Sequence, residues 1–353
     1  MMTKPRFRVV QWATGNVGSR AMRRVIEHPR LELVGLHVHS PAKEGRDAGE
    51  LCGLPAVGIK ATRSVDEIIA LQPDCVLYMQ ESYDLDDICR LLASGANIVT
   101  TRGEFINPRR MDSAVRERVE QACREGGSTI YATGSSPGFI TEAIPLVLTS
   151  IQRRLDGITI DEFANLESRD SPAMLFEGMG YGKDPKVFQK AHMAQGLDGF
   201  SHSLDVVADA LGLSFESVEV SHEVAAARND ARIVAGVIPK GTIAAHRIAI
   251  ACMHGGRPLM QMRLNWYCTT DIDADWELGD NGWRVQVAGD VPLDVRIRFP
   301  VALEDYGAMT PGLTAHPPVN AIPYVCAAPP GIKTAVDLPR IIAYLAEARG
   351  DKT

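Results

Sequence analysis

Hydrophobic and polar positions follow two different textures along the chain. In the first 140 residues, short apolar runs of strand length alternate with stretches in which apolar residues recur every three or four positions. Arg8–Trp12, Leu31–His37, Asp74–Met79, Ala96–Thr100 and Ser128–Ala132 read as strands, while Ser19–His28, Ser64–Leu71, Asp84–Ser94 and Arg109–Glu125 read as helices. Stop signals sit where helices should end: Pro29, Gly95 and Gly126-Gly127. Strands joined by helices of this length pair in parallel through right-handed crossovers, so 1–140 is expected to form an α/β, doubly wound parallel sheet.

After Ser150 the period shortens. Ile158–Leu166, Ser217–Ala227, Gly241–Met253, Pro258–Tyr267, Gly282–Ala288 and Leu293–Phe299 read as strands, several with strict alternation. Only Pro185–Gln195 and Ser203–Leu211 interrupt them with helical spacing. Segregated strands and helices predict an α+β domain over 141–325, built on a largely antiparallel sheet. Leu338–Arg349 again has helical spacing, with Pro339 in its first turn and Gly350 as its stop. That segment, 326–353, is expected to return to the first domain and make it discontinuous.

Composition narrows the function classes. Lys plus Arg number 37 and Asp plus Glu 44, a net charge of −7 that gives no general attraction to nucleic acid or to an anionic membrane. No apolar run approaches the roughly 20 residues of a membrane span. Seven scattered cysteines without C-x-x-C spacing suit a reducing compartment, and the expected location is cytoplasmic. The nine histidines lack H-x₃-H or H-x-x-E-H spacing. Asp271-Ile272-Asp273-Ala274-Asp275 opens like a calcium loop but has Trp276 and Gly282 where glycine and glutamate belong. No metal is expected. Ser135 and Ser136 do not form a G-x-S-x-G elbow, which argues against hydrolase chemistry.

The strongest local signal is Trp12-Ala13-Thr14-Gly15-Asn16-Val17-Gly18, leaving one strand and opening a helix. This is the G/A-x-G-x-x-G arrangement of a Rossmann-type dinucleotide turn, with Ala13 in place of the first glycine. Gly15 lets the backbone approach a pyrophosphate, Gly18 lets helix and strand close up, and Thr14, Asn16 and Val17 complete the cradle. The second strand ends without the carboxylate that holds a ribose 2′-hydroxyl, whereas Ser40, Lys43 and Arg46 follow it. NADP(H) is therefore favoured, with NAD(H) tolerated. Met79 and Gln80 after the third strand either contact the nicotinamide ribose or simply end the strand, and Thr100 and Thr101 after the next are further expected cofactor contacts. The turn around Gly134 and the loop carrying Asn320 complete the expected cofactor contacts. Glu104, four residues past a parallel strand, can take a proton from an amine and stabilise a cationic imine. Thr310–Asn320, rich in proline, is expected to be a rigid loop bearing His316.

Three segments together resemble a known family: Gln11–Gly18, Gly45-Arg46-Asp47-Ala48-Gly49-Glu50-Leu51 and Thr100-Thr101-Arg102-Gly103-Glu104-Phe105. They look like the 2,4-diaminopentanoate dehydrogenase-like proteins, including the native NAD(P)H-dependent amine dehydrogenases, distant relatives of dihydrodipicolinate reductase in their N-terminal domain. The resemblance implies a homodimer and reversible reductive amination of a small aldehyde or ketone with ammonia. It makes Glu104 the catalytic carboxylate. It also makes Asn165–Arg169 and Met174–Tyr181 a pocket wall, with Asn165, Arg169, Phe176, Met179 and Tyr181 as substrate contacts; the Thr310–Asn320 loop either closes a further wall with His316 or is a structural proline loop. The alternatives are a carbonyl or imine reductase, with Tyr181 or His316 as proton donor, and a nicotinamide sensor without turnover.

Overall fold

The computed structural model describes residues 6–186 and 198–345. The chain divides into two compact units, Met1–Phe139 with Thr310–Thr353, and Ile140–Met309. The chain thus re-enters the first unit at Thr310, earlier than residue 326.

The first unit is built by strictly alternating strands and helices: β1 (Phe7–Trp12), α1 (Asn16–Glu27), β2 (Leu31–His37), α2 (Ala48–Leu51), β3 (Ala61–Thr62), α3 (Val65–Ala70), β4 (Cys75–Tyr78), α4 (Leu85–Ala93), β5 (Asn97–Thr100), α5 (Ser113–Gly126) and β6 (Thr129–Ala132). A further strand, Gly331–Lys333, pairs with β6. The order across the sheet is Gly331–Lys333, β6, β5, β4, β1, β2, β3, and every pairing is parallel. The chain runs outward from β1 to β3, then returns to β4 on the other side of β1. The carboxyl ends of β1 and β4 therefore flank the switch point at which such sheets bind ligands. Helix α1 buries Gly18, Ala21, Met22 and Val25, the i, i+3, i+4, i+7 face, against the sheet. Helix α5 starts at Ser113, because the Asp112 carboxylate caps the amides of Ala114 and Val115.

The second unit holds α6 (Ile144–Thr149), β7 (Leu155–Asn165), α7 (Asp198–Ala210), β8 (Ser217–Ala226), β9 (Ala231–Ile233), β10 (Gly236–Ile238), β11 (Ile243–His254), β12 (Arg257–Tyr267), β13 (Gly282–Gly289) and β14 (Leu293–Arg298). Its six-stranded sheet has the order β14, β13, β7, β12, β11, β8, and only β7 with β12 is parallel. Alternation works as the sequence implies: Ile248, Ile250 and Cys252 of β11 and Met260, Met262 and Leu264 of β12 are buried. Helix α7 packs on β11 and β12. On the opposite side, polar side chains form a ladder. Asp161 accepts from Arg263 Nε at 2.7 Å and Asn265 Nδ2 at 3.1 Å, and Gln261 donates to Thr159 at 3.0 Å.

Two expectations need correction. Thr310–Asn320 is not a loop but lies inside α8 (Leu303–Val325), which contains Pro311, Pro317, Pro318 and Pro323. An interior proline costs a helix roughly 3 kcal/mol. Here a helical stripe of Ala315, Val319, Ile322 and Val325, buried in the core of the first unit, offsets that cost. Leu338–Leu345 is not helical, and Ala346–Arg349 lies outside the described residues. Leu338 is buried and Ile341 packs on the core, but Ile342 and Leu345 are exposed, so the buried side is too short to hold three turns together. The glycine turn at Gly134 stays non-helical at Ser136, Pro137 and Gly138, ahead of α6. The Pro185–Gln195 helix falls almost wholly outside the described residues. Among the described residues no helix is long and apolar enough to cross a membrane.

The second unit also carries an unusual carboxyl. Glu142 is buried, its Oε1 accepts from Ser203 at 2.6 Å, and Ser203 in turn meets Thr141 at 2.5 Å. Loss of solvent pushes its pKa up from 4.5 to about 8, against the smaller lowering effect of Ser203. The folded state therefore keeps a proton that the unfolded chain gives up. Stability should fall as pH rises from about 4.5 to about 8 and stay level above that, a loss on the order of a few kcal/mol. Glu142→Gln should remove this slope. Thermal melts of variant and parent should separate progressively from about pH 5 to about pH 9, the variant being the more stable; parallel curves would contradict the assignment.

Candidate active site

The dinucleotide turn is shaped by close backbone packing. A Cβ on Gly18 would lie 2.4 Å from the Ala13 carbonyl oxygen and 3.0 Å from Gln11 Nε2, so only glycine permits this approach. A Cβ on Gly15 would meet nothing within 4 Å, leaving that side of the turn open. Ala13 occupies the left-handed region at φ 71°, the conformation for which glycine is usually chosen, at a cost of about 1 kcal/mol. Gln11, fully buried, donates from Nε2 to the carbonyls of Trp12 (3.2 Å) and Ala13 (3.0 Å), and its Oε1 has no partner. Gly15 caps α1 without a side chain, whereas Ser64, Asp84 and Asp112 occupy the amides of α3, α4 and α5 with their oxygens. The first amides of α1 thus remain for an anion. A tight cradle, an open Gly15 and an uncapped helix fit a pyrophosphate.

Around this turn, the strand ends are tied by polar and aromatic contacts. Trp12 stacks on His37 at 3.7 Å and donates from Nε1 to Gln80 Oε1 at 2.8 Å. Gln80 Oε1 also meets His39 Nε2 at 2.5 Å, and Gln80 Nε2 donates to the Tyr78 hydroxyl at 2.5 Å. Burial, then the neighbouring His39, lowers the His37 pKa to about 4, so that ring is neutral near pH 7. Lys43 donates to the Thr14 carbonyl at 3.2 Å and hydroxyl at 2.9 Å. Ser40 and Arg46 are exposed beyond β2, and Met79 is buried with its amide on the Trp12 carbonyl. Sequence reasoning missed Asp47, although it lies within one of the family segments. Its buried carboxylate accepts from the amides of Gly49, Val57 and Gly58, each at 2.9 Å, and shapes the loop that follows Arg46. Those amides, Val57 first, hold its pKa below the ordinary range.

At the next strand end, Thr100 is buried, donates to the Tyr78 carbonyl at 2.7 Å and receives the Arg102 amide at 3.1 Å. Glu104 sits in a single helical turn, Gly103–Phe105, with Thr101 just before it. Arg102 grips both carboxylate oxygens, Nε to Oε2 at 3.1 Å and the second arm to Oε1, while its remaining nitrogen reaches the Glu81 carbonyl. The Glu104 side chain stays 42% exposed, so it remains reachable. Gly134 is buried beside Pro137 and Thr314, and Ser135 meets Thr314 at 2.8 Å. Asn320 lies in α8 with a buried, unpartnered Oδ1. His316, also in α8, is lowered by loss of solvent around its ring and by the charge of Arg24.

The second-unit residues fall into two groups. Asn165 ends β7, where its amide donates to Asn281 Oδ1 at 2.6 Å and its side chain receives Glu167 at 2.9 Å. Arg169 lies beside Gly307. Tyr181 is only 1% exposed and belongs to a core cluster with Leu166, Leu175, Ile238 and Tyr267, against which Phe176 and Met179 pack. Its hydroxyl has no partner among the described residues, and burial pushes its pKa well above the ordinary value. Among the described residues, no group of three or more His, Cys, Asp or Glu side chains is arranged to hold a metal ion.

A parallel sheet with an uncapped glycine turn at its switch point has the form of a dinucleotide-binding fold, here joined to an α+β unit. Residues 139–352 match the family model of the 2,4-diaminopentanoate dehydrogenase C-terminal domain, and the chain belongs to that family. An amine dehydrogenase of Streptomyces virginiae is 29% identical over 344 residues, covering 94% of this chain and 95% of its own. The 2,4-diaminopentanoate dehydrogenase of Acetoanaerobium sticklandii is 24% identical over 291 residues, 80% and 79% of the two chains. In fold, the chain is similar to the solved amine dehydrogenase of Mycobacterium smegmatis, with a TM-score of 0.73 at 20% identity over 96% and 97% of the chains.

Gly18→Ala should force the turn open against backbone, not against a yielding side chain. We expect a stability loss of about 1–3 kcal/mol and at least about tenfold weaker NADPH binding. Denaturant melts and calorimetric titration check the two effects separately.

Proposed function

We infer that this protein is an NAD(P)H-dependent amine dehydrogenase, an oxidoreductase acting on CH–NH2 groups. It would catalyse reversible reductive amination of a small aldehyde or ketone with ammonia. The observation that carries the reading is family membership together with a relative, named amine dehydrogenase, that aligns along almost the whole chain. The cofactor is a nicotinamide dinucleotide, whose chemistry when bound is to give or accept a hydride at the substrate carbon. Gly15, Asn16 and Gly18 would hold its pyrophosphate, and Gln80, Thr100 and Thr101 its nicotinamide half. Preference for NADP(H) is supported by Ser40 and Arg46, both exposed beyond a strand that ends in neutral His37 rather than a carboxylate. Lys43 contributes positive charge nearer the turn, through its hold on Thr14.

Glu104 would handle the proton of the incoming ammonia and offset positive charge on the imine nitrogen. Its presentation supports this: exposed enough to be reached, and fixed in orientation by the Arg102 fork. The alternative carbonyl reductase needs a proton donor from Tyr181 or His316. Tyr181 is packed in a core with a raised pKa, and the His316 ring is lowered toward its neutral form, so neither favours that reading. Asn165 and Arg169 are the polar candidates for substrate contact. As in the resembling family, the assembly would be a homodimer, in the cytoplasm, without nucleic-acid, membrane or metal partners.

NADPH oxidation with small aldehydes and cyclic ketones should require ammonium and yield amine. Alcohol formed without ammonium would instead establish the reductase. In the same assay Glu104→Gln should lower the rate by about a hundredfold or more while leaving the melting temperature nearly unchanged. Retention of full rate by that variant would remove Glu104 from the mechanism.

A further inference from the structure

The geometry points to Gln11 as a positioning residue for the dinucleotide: its buried carboxamide holds Ala13 in the left-handed turn that a first glycine would adopt unaided. The inference rests on the cofactor being a nicotinamide dinucleotide, and is independent of the amine chemistry. Four observations carry it. Ala13 has φ 71°. Gln11 Nε2 donates to the carbonyls of the two peptide units that flank Ala13. Gln11 is fully buried although its Oε1 finds no partner, so the site keeps an amide for its donors and tolerates an orphaned acceptor. Gly18 leaves just enough room, since a Cβ there would press on both the Ala13 carbonyl and Gln11 Nε2.

The consequence for binding is conformational. The carbonyls of Trp12 and Ala13 turn into the fold, Trp12 accepting from the Met79 amide at 3.1 Å and from Gln11, and Ala13 accepting from Gln11. With Ala13 held in this conformation, the open side of the turn offers the amides of α1 to the pyrophosphate. Gln11 thereby acts on the cofactor through Ala13 and never touches it.

The test is a double-variant cycle read by calorimetric titration of the apo protein with NADPH and NADH. Gln11→Met keeps length and burial but removes the donors, and should weaken both cofactors by about fivefold to tenfold. Ala13→Gly alone should change affinity by less than about twofold, and in the Gln11→Met background it should restore it. Rescue by glycine is what a merely structural role for Gln11 would not give. Unchanged affinity in Gln11→Met overturns the proposal, as does weakened affinity that Ala13→Gly fails to restore. If Gln11→Met does not fold, the double variant should fold and bind, and its failure counts equally against the idea. Should the parent protein bind neither dinucleotide, the cofactor assignment falls and this inference with it.

Discussion

The approach of Gly18 to the Ala13 carbonyl is the constraint on which the first unit depends. Because nothing projects from Gly18, α1 can start directly over the end of β1 and bury Ala21, Met22 and Val25 against the sheet. The same closeness sets the direction of the uncapped helix end, and hence where an anion can be met. Trp12, the last residue of β1, is thereby held under His37, and its indole nitrogen is drawn to Gln80. The strand end therefore ties β2 and β4 together across β1. A single missing methyl group thus links backbone packing, the aromatic stack and the cofactor cradle.

The chain's return shows a second dependence. Gly331–Lys333 completes the sheet beside β6, and the α8 stripe fills the core with Val9, Leu77 and Val99. Thr129 accepts this return through its hydroxyl, which donates to the Pro329 carbonyl at 3.0 Å. Loss of the last part of the chain would thus open both the edge of the parallel sheet and its core. The first unit is complete only when residues more than 170 positions apart have come together, as Ser135 and Thr314 do. Closing so long a loop costs conformational entropy, which the buried contacts of the α8 stripe must offset.

Much of this was legible in the sequence, and the rest fails for physical reasons. Strands in a parallel sheet are buried on both faces, so Cys75–Tyr78 and Ile98–Thr100 stand out as apolar runs. The turn at Gly15 and Gly18 is equally visible because the chemistry demands glycine. Helix α8 is not, since four prolines outweigh local propensity and only the stripe from Ala315 to Val325 reveals it, once a core exists to receive it. Leu338–Leu345 fails in the opposite sense, with good helical spacing but only Leu338 and Ile341 against the core. Gln11 and Asp47 were passed over because a polar residue in a strand or loop carries no periodic signal. Their roles arise from backbone groups that only the fold brings near. The apolar segment from Met174 to Tyr181 has a composition suited to a pocket wall, yet Leu175 and Tyr181 are core, which composition cannot distinguish.

Two glutamates illustrate why environment, more than identity, assigns a chemical role. Glu142 is deeply buried, with Ser203 and Thr141 for company; its environment favours the neutral acid up to about pH 8. Such a group resists becoming charged, and its main effect is on how stability varies with pH. Glu104 stands in the reverse situation. Its carboxylate is partly exposed, and a guanidinium fixes its direction without enclosing it. A group that must exchange a proton with a small, mobile substrate needs access and a fixed orientation at once. A loop just beyond a parallel strand supplies the first, and the Arg102 fork the second. If Glu104 acts as proposed, removing Arg102 would leave its carboxylate without a fixed direction, and the loss should fall on turnover more than on substrate affinity. That division is the kinetic mark of a residue that aims the carboxylate rather than binds the substrate.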